Sequence, residues 1–322
     1  MYAEMTQFIE PKQMRHRIVR YSDLIPCFDA FIDTRTPGSN MKENFTIIGP
    51  GVSENPNQHV HIEEPHGFNI GGARQPPRCV NSQHSHETAE VFFVHSGTWS
   101  FNLGELGEDA KITLSPGDLI SIPTHIFRGF ENIGDDIGYL WAVLGNDDPG
   151  HVLWAPDVFE MAKKYGLVLL ENGTLIDTAK GETIPKGARV MPVTSRQEID
   201  KLQVMSNDGL RKCCVMSSDV IPSHDRDGVS TRDLIGAGAP IDWPHGFEIR
   251  HFKIEPGFAN REQTASVPDV IFVQTGALTI NVADEVWHMG AGDTATIPVG
   301  QTRQFINESD KPVEFLRVQG EA

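Results

Sequence analysis

Apolar residues in this chain come in short runs broken by Gly, Pro and Ser. Val91-Phe-Phe-Val94 and Trp99-Ser-Phe-Asn-Leu103 read as strands on either side of a turn at Ser96-Gly97. Leu119-Ile-Ser-Ile122 reads as a third strand, stopped by Pro123. Helical spacing is confined to a few places. Pro156 to Gly166 opens on Pro, carries apolar residues at helical intervals and ends on Gly. Ser195-Arg-Gln-Glu198 is a capping-box pattern that predicts a second helix over Ser195 to Leu202. The mixed apolar stretch Ser22 to Phe31 reads as a short helix and Thr34 to Asn40 as a loop. The pattern predicts a protein dominated by β structure, with small helices between its strands.

The chain repeats itself. Pro65-His66-Gly67-Phe68 and Ile70 recur as Pro244-His245-Gly246-Phe247 and Ile249, at an offset of 179 that also carries Gly97 onto Gly276. Further on, Gly117, Pro123, Arg128 and Asn132 pair with Gly292, Pro298, Arg303 and Asn307 at an offset of 175. A four-residue length difference in the hairpin after Gly97 accounts for the change in offset. Colinear matches of this kind indicate a duplicated domain.

One segment carries chemistry. His84-Ser-His86 places two imidazoles on one face of a strand, because strand side chains alternate with period 2. Glu90 lies four residues on, within reach after a bend. Two neutral imidazoles and a carboxylate with open positions suit Fe(II) best, and Mn, Ni, Cu or Zn less well. The spacing His84-x-His86-x3-Glu90-x6-Gly97 resembles the first signature motif of the cupin superfamily. Gly117 to Asn132 resembles the second, with its Gly-x5-Pro and final Asn. Two positions depart from the family pattern: His125 stands where Gly is usual, and Arg128 where the family usually has a ligand His. A guanidinium has no lone pair for a metal.

The resemblance implies two cupin (double-stranded β-helix, or jelly-roll) barrels. We expect an N-terminal arm over 1–64, barrel one over 65–147, a connector with two short helices over 148–243, and barrel two over 244–322. At the same offsets, copy two has Gln263, Ala265, Asp269 and Gly300 in place of His84, His86, Glu90 and His125. Barrel two is therefore expected to be metal-free. His125 is a candidate fourth ligand or acid–base group. Arg128 is a candidate clamp for a substrate carboxylate. Because Arg also occurs in the copy without the imidazoles, pairing with a buried carboxylate is the alternative. Phe92, Val94, Trp99, Phe127 and Phe130 read as core or pocket lining, and His95 as outward-facing.

Composition narrows the class. The content of 39% hydrophobic residues, with 30 Gly and 21 Pro, fits turn-rich barrels. A formal charge of −17 argues against binding a nucleic-acid backbone or an anionic membrane surface. No apolar run approaches the roughly 20 residues of a membrane span. Met1 to Gln7 lacks the basic-then-apolar pattern of a secretory leader. The four cysteines, Cys27, Cys79, Cys213 and Cys214, form no Cys-x-x-Cys pair and suggest free thiols in a reducing, cytoplasmic setting.

The resemblance, not the residues alone, points to a dioxygenase. Metal cupins include many dioxygenases, several of them bicupins acting on hydroxylated aromatic acids or flavonols. We therefore expect one divalent metal per chain, Fe(II) foremost, with a small oxygenated substrate and O2 as partners, and assembly into a homo-oligomer. Two other classes stand beside this one. In a non-redox isomerase, lyase or hydrolase, His125 or Glu87 would be the base. The third class is a ligand-binding cupin without turnover.

Overall fold

The computed structural model describes residues 15–219 and 221–321 and divides into two compact units. The segment Met1 to Gln7 lies outside the described residues. One unit, built mainly on Ile25–Glu63 and Asn69–Ser217, contains barrel one. The other, built mainly on Ser218 onward with the described residues up to Leu24, contains barrel two.

Barrel one is two antiparallel-rich sheets. The first runs in the order Cys214–Val215, Leu119–Ile122, Glu90–Ser96, Gly138–Gly145, Phe68–Gln75, Glu43–Ile48, Val60–Ile62. The second runs Trp154 with Leu153, then Val80–Ser85, Arg128–Asn132, Trp99–Leu103, Ala110–Leu114. Inward residues of both sheets meet in one core. Phe92, Val94, Ile120 and Leu140 from the first pack with Trp99, Phe101 and Phe130 from the second. Alternation explains the division, since every second residue of each strand faces the core.

Barrel two has the same plan. Its first sheet runs Ile18–Val19, Thr294–Ile297, Asp269–Thr275, Val313–Gly320, Phe247–Ile254, Val229–Ile235, His224–Arg226. Its second runs Gln263–Thr264, Thr302–Ile306, Ala277–Val282, Glu285–Gly290. The register repeats as well. Glu90 pairs with Ile122 and Leu144, and Asp269 with Ile297 and Gln319, the residues at the two offsets. The length difference lies where the offsets change. Residues 104–109 join two strands of barrel one, whereas Ala283 and Asp284 alone join their counterparts.

The motif residues common to both copies are structural. Gly97 and Gly276 turn with φ of 85° and 82°, and a Cβ on Gly97 would lie 2.7 Å from Gly138 Cα. The Asn132 amide donates to the carbonyls of Gln75 (2.9 Å) and Asp136 (2.8 Å). The Asn307 amide makes the same two bonds, to Ile254 and Lys311.

Several expectations need revision. The arm before residue 65 contains two strands of barrel one, Glu43–Ile48 and Val60–Ile62. The connector contributes Cys214–Val215 to barrel one and Val229–Ile235 to barrel two. Ser22 to Phe31 is not a helix beyond the single turn Tyr21–Asp23, because Pro26 cannot continue one and Cys27 bridges to Asn44 instead. The helix Pro156–Lys164 forms as read, with Pro at its start. The Ser195 capping box also forms, but its helix stops at Ile199. A third helix, Asn207–Lys212, carries an unanticipated Ser206 cap.

All four cysteines are free. No described helix is long and apolar enough to cross a membrane.

Candidate metal centre

Strand Val80–Ser85 delivers His84 and, one residue past its end, His86. The chain then bends, and Glu90 opens the next strand, Glu90–Ser96. The three side chains are buried, and one ligand atom from each lies within 4.8 Å of the others. They are the only such cluster of His, Cys, Asp and Glu among the described residues.

Neighbouring groups settle how each ligand presents itself. His84 Nδ1 hydrogen-bonds to the Ser82 carbonyl at 2.7 Å, so the proton sits there and Nε2 keeps the lone pair. Trp154 packs against the His84 ring at 5.3 Å between centroids and holds its plane. His86 has a buried Nδ1 with no hydrogen-bond partner. Its Nε2 lies 3.4 Å from Glu90 Oε1. A neutral imidazole nitrogen facing a carboxylate oxygen, with a second neutral imidazole within the same cluster, is a donor set that fits a divalent metal.

Electrostatics point the same way. Burial pushes His84 down to about 3, with the His86 and Arg128 charges adding to the effect. Burial, then Arg128, holds His86 well below the usual imidazole range. Both rings are therefore neutral at physiological pH, the form that ligates metal.

Arg128 is not free to clamp a substrate. Its Nη2 and Nε donate to Glu90 Oε2 at 2.9 and 3.1 Å, and Nη1 donates to the Ile126 carbonyl at 3.2 Å. It is fully buried. The expectation of a carboxylate clamp gives way to the alternative reading: Arg128 grips one oxygen of Glu90 and leaves Oε1 to the cluster. Residue 128 pairs with residue 84 across the strands, which puts the guanidinium beside the ligands.

His125 is not part of the cluster either. It is exposed and sits in a turn at φ 60°. Its counterpart Gly300 has φ 83°, and the two backbone amides make equivalent bonds, to the carbonyls of His86 and Ala265. The position demands a left-handed backbone, which is why Gly is the natural occupant. His95 is half-buried and outside the cluster, with its ring edge-on to Tyr139.

The three ligands line a cavity of about 80 Å³. Phe92, Phe130, Leu144 and Trp154 give it apolar walls, and Asn44 and Asn81 supply polar groups. No Lys or Arg lines it, and His84, His86 and Glu90 are its only ionisable lining groups. Glu54 stands behind the wall and was not anticipated from the sequence. Trp154 Nε1 donates to its Oε1 at 2.6 Å and the Ile32 amide to its Oε2 at 2.7 Å. Burial pushes its carboxyl up to about 8. Glu54 thereby ties the Phe31 and Trp154 sides of the cavity together.

Comparison with known proteins agrees with this architecture. The family model described as "Cupin domain" matches residues 73–143 and again 250–319. The chain thus carries two cupin domains and is a bicupin. None of the curated proteins matches the sequence. Among solved structures, the fold is similar to the oxalate decarboxylase formate complex of Lactobacillus farciminis, at 14% identity and a TM-score of 0.59, covering 94% of this chain and 86% of that one. It is also similar to Bacillus subtilis oxalate decarboxylase, at 13% identity and a TM-score of 0.57, covering 95% and 76%. AerE of Microcystis aeruginosa matches at 10% identity and a TM-score of 0.50, covering 88% and 93%. Identities this low show the shared fold.

Proposed function

We propose that this bicupin is a metal-dependent enzyme that uses barrel one to turn over a compact, oxygen-chelating anion, with a dioxygenase as the leading reaction class. The observation that carries this reading is a buried His84–His86–Glu90 set facing a cavity with no further acid–base group. A lyase, isomerase or hydrolase ordinarily needs a protein group to move a proton. An oxygenase can proceed on a chelated substrate without one. A divalent ion held there, with Fe(II) as the first candidate, supplies electron transfer between chelated substrate and O2.

The chain's own residues do the rest. Ser82 fixes the His84 tautomer. Arg128 holds Glu90 and cancels its charge, so the loaded site keeps about two positive charges, counting a divalent ion. That excess favours an anionic substrate although no cation lines the cavity. Asn44 and Asn81 are placed to hydrogen-bond a substrate oxygen. Phe92, Phe130 and Trp154 exclude water.

The cavity of about 80 Å³ is smaller than the roughly 150 Å³ that holds benzene, which favours a small hydroxy or keto acid over an aromatic one. The same size favours a second reading, redox-neutral decarboxylation of a short dicarboxylate, the reaction named for the oxalate decarboxylases of similar fold.

Metal analysis of untagged, anaerobically purified protein, followed by O2-uptake and CO2-release assays on short hydroxy, keto and dicarboxylic acids, tests both. About one iron per chain with substrate-dependent O2 uptake supports the dioxygenase. CO2 release without O2 consumption transfers the conclusion to the second reading. Protein that binds no metal ends both.

A further inference from the structure

The duplication allows the two barrel interiors to be compared residue by residue. Barrel one keeps Ala73 and Ala142 on the wall of its cavity. At the two offsets these become Phe252 and Arg317 in barrel two, and both are buried. The register supports the match: Ala142 pairs with Phe92, and Arg317 with Ile271, which is Phe92 shifted by 179.

Arg317 points into the counterpart of the metal centre. Its Nε lies 3.8 Å from Asp269 Oδ1, and its Nη1 donates to Gln263 Oε1 at 3.3 Å. Asp269 and Gln263 are the counterparts of Glu90 and His84. Arg303, the counterpart of Arg128, holds Asp269 Oδ2 at 2.6 Å, an ion-pair contact without hydrogen-bond alignment. The Arg317 guanidinium lies 5.1 Å over the Phe252 ring, which stacks on Phe315 at 4.9 Å. A carboxylate gripped by one guanidinium thus faces a second cation in barrel two, and the two imidazoles of His84 and His86 in barrel one.

We propose that Arg317 is the built-in cation of barrel two, standing where a metal ion stands beside Glu90, and that Phe252 fills the substrate space which Ala73 leaves open. Barrel two is then a closed metal site: it retains the carboxylate–guanidinium pair and has replaced the ion with a side chain. The same reasoning makes Ala73 and Ala142 the residues that keep barrel one open. The part concerning barrel one rests on the metal-dependent reading above; the part concerning barrel two does not.

The test is a full-length variant carrying Gln263→His, Ala265→His, Phe252→Ala and Arg317→Ala, compared with the wild type for divalent metal bound per chain by mass spectrometry. The expected result is one more ion per chain in the variant. A count rising from none to one supports this proposal while removing the metal from barrel one. A folded variant with the wild-type count overturns the proposal and leaves the reading of barrel one intact.

Should the quadruple variant not fold, thermal unfolding of Arg317→Met, Asp269→Asn and the double variant decides. Arg317→Met should lower the midpoint in the wild-type background. In the Asp269→Asn background it should leave the midpoint unchanged or raise it, because Arg317 is then one of two buried guanidiniums without their carboxylate. An equal fall in both backgrounds overturns the proposal.

Discussion

Two barrels of one plan hold different side chains at the place where the candidate ligands cluster. Barrel one places His84, His86 and Glu90 around open space walled by Ala73 and Ala142, whereas barrel two places Gln263, Ala265 and Asp269 against Arg317 and Phe252. The order and register of the central strands, the Gly97 and Gly276 turns and the Asn132 and Asn307 bonds are shared. So is the buried carboxylate–guanidinium pair, Glu90 with Arg128 and Asp269 with Arg303. What distinguishes a metal-ready barrel from a filled one is therefore the pair of imidazoles and the volume opposite them. The shared pair belongs to the framework.

The largest expected effect breaks the comparison at its centre. His84→Ala or His86→Ala should abolish metal binding and turnover together, beyond the roughly 100-fold that losing an outer hydrogen-bond partner costs. Metal content and activity of purified variants check this, and full occupancy in either would remove the assignment.

Next come the two arginines. Arg128→Met leaves Glu90 buried and unpaired and should cost about 3–5 kcal/mol in the metal-free protein. Arg303→Met should cost less, because Asp269 keeps Arg317. Denaturant unfolding of both variants measures the difference, and equal losses would mean Arg317 does not serve Asp269.

The pH dependence of metal-free protein is smaller. The folded state holds His84 and His86 below their unfolded values, so the unfolded chain binds more protons. The stability conferred by the neutral His84 ring is present above about pH 6.5 and is lost as pH falls toward about 3, by up to about 1.4 kcal/mol per pH unit, and His86 acts in the same direction. His84→Ala should flatten that slope in chelator-treated protein; identical slopes would refute the assigned shift.

The smallest effect sharpens the comparison from the other side. Gln263→Ala should leave turnover within about tenfold, or 1.4 kcal/mol, of wild type. A larger loss would bring barrel two into catalysis.

Much of this is legible along the chain. The duplication is read from colinear repeats, the two-barrel fold is what the resemblance of the motifs to the cupin signatures implies, and the clustering of His84, His86 and Glu90 with the Phe92 and Phe130 lining follows from period-2 alternation and motif spacing. The strands Glu43–Ile48 and Val229–Ile235 were missed because they share a place in the fold but little sequence. Glu54 carries no local signal at all. His125 misled because residue type suggested chemistry at a position chosen for its backbone angle.

By itself, the sequence determined the repeat, the strand pattern and the chemical nature of the donor set, since each depends on residue identity and spacing along the chain. Only the tertiary structure decided that Arg128 is spent on Glu90, that His125 lies outside, that Glu54 pins the cavity wall and that Arg317 fills the second barrel. Those outcomes depend on which distant side chains share a low-dielectric interior, where every charge must find a partner and every unfilled volume is a place for a ligand.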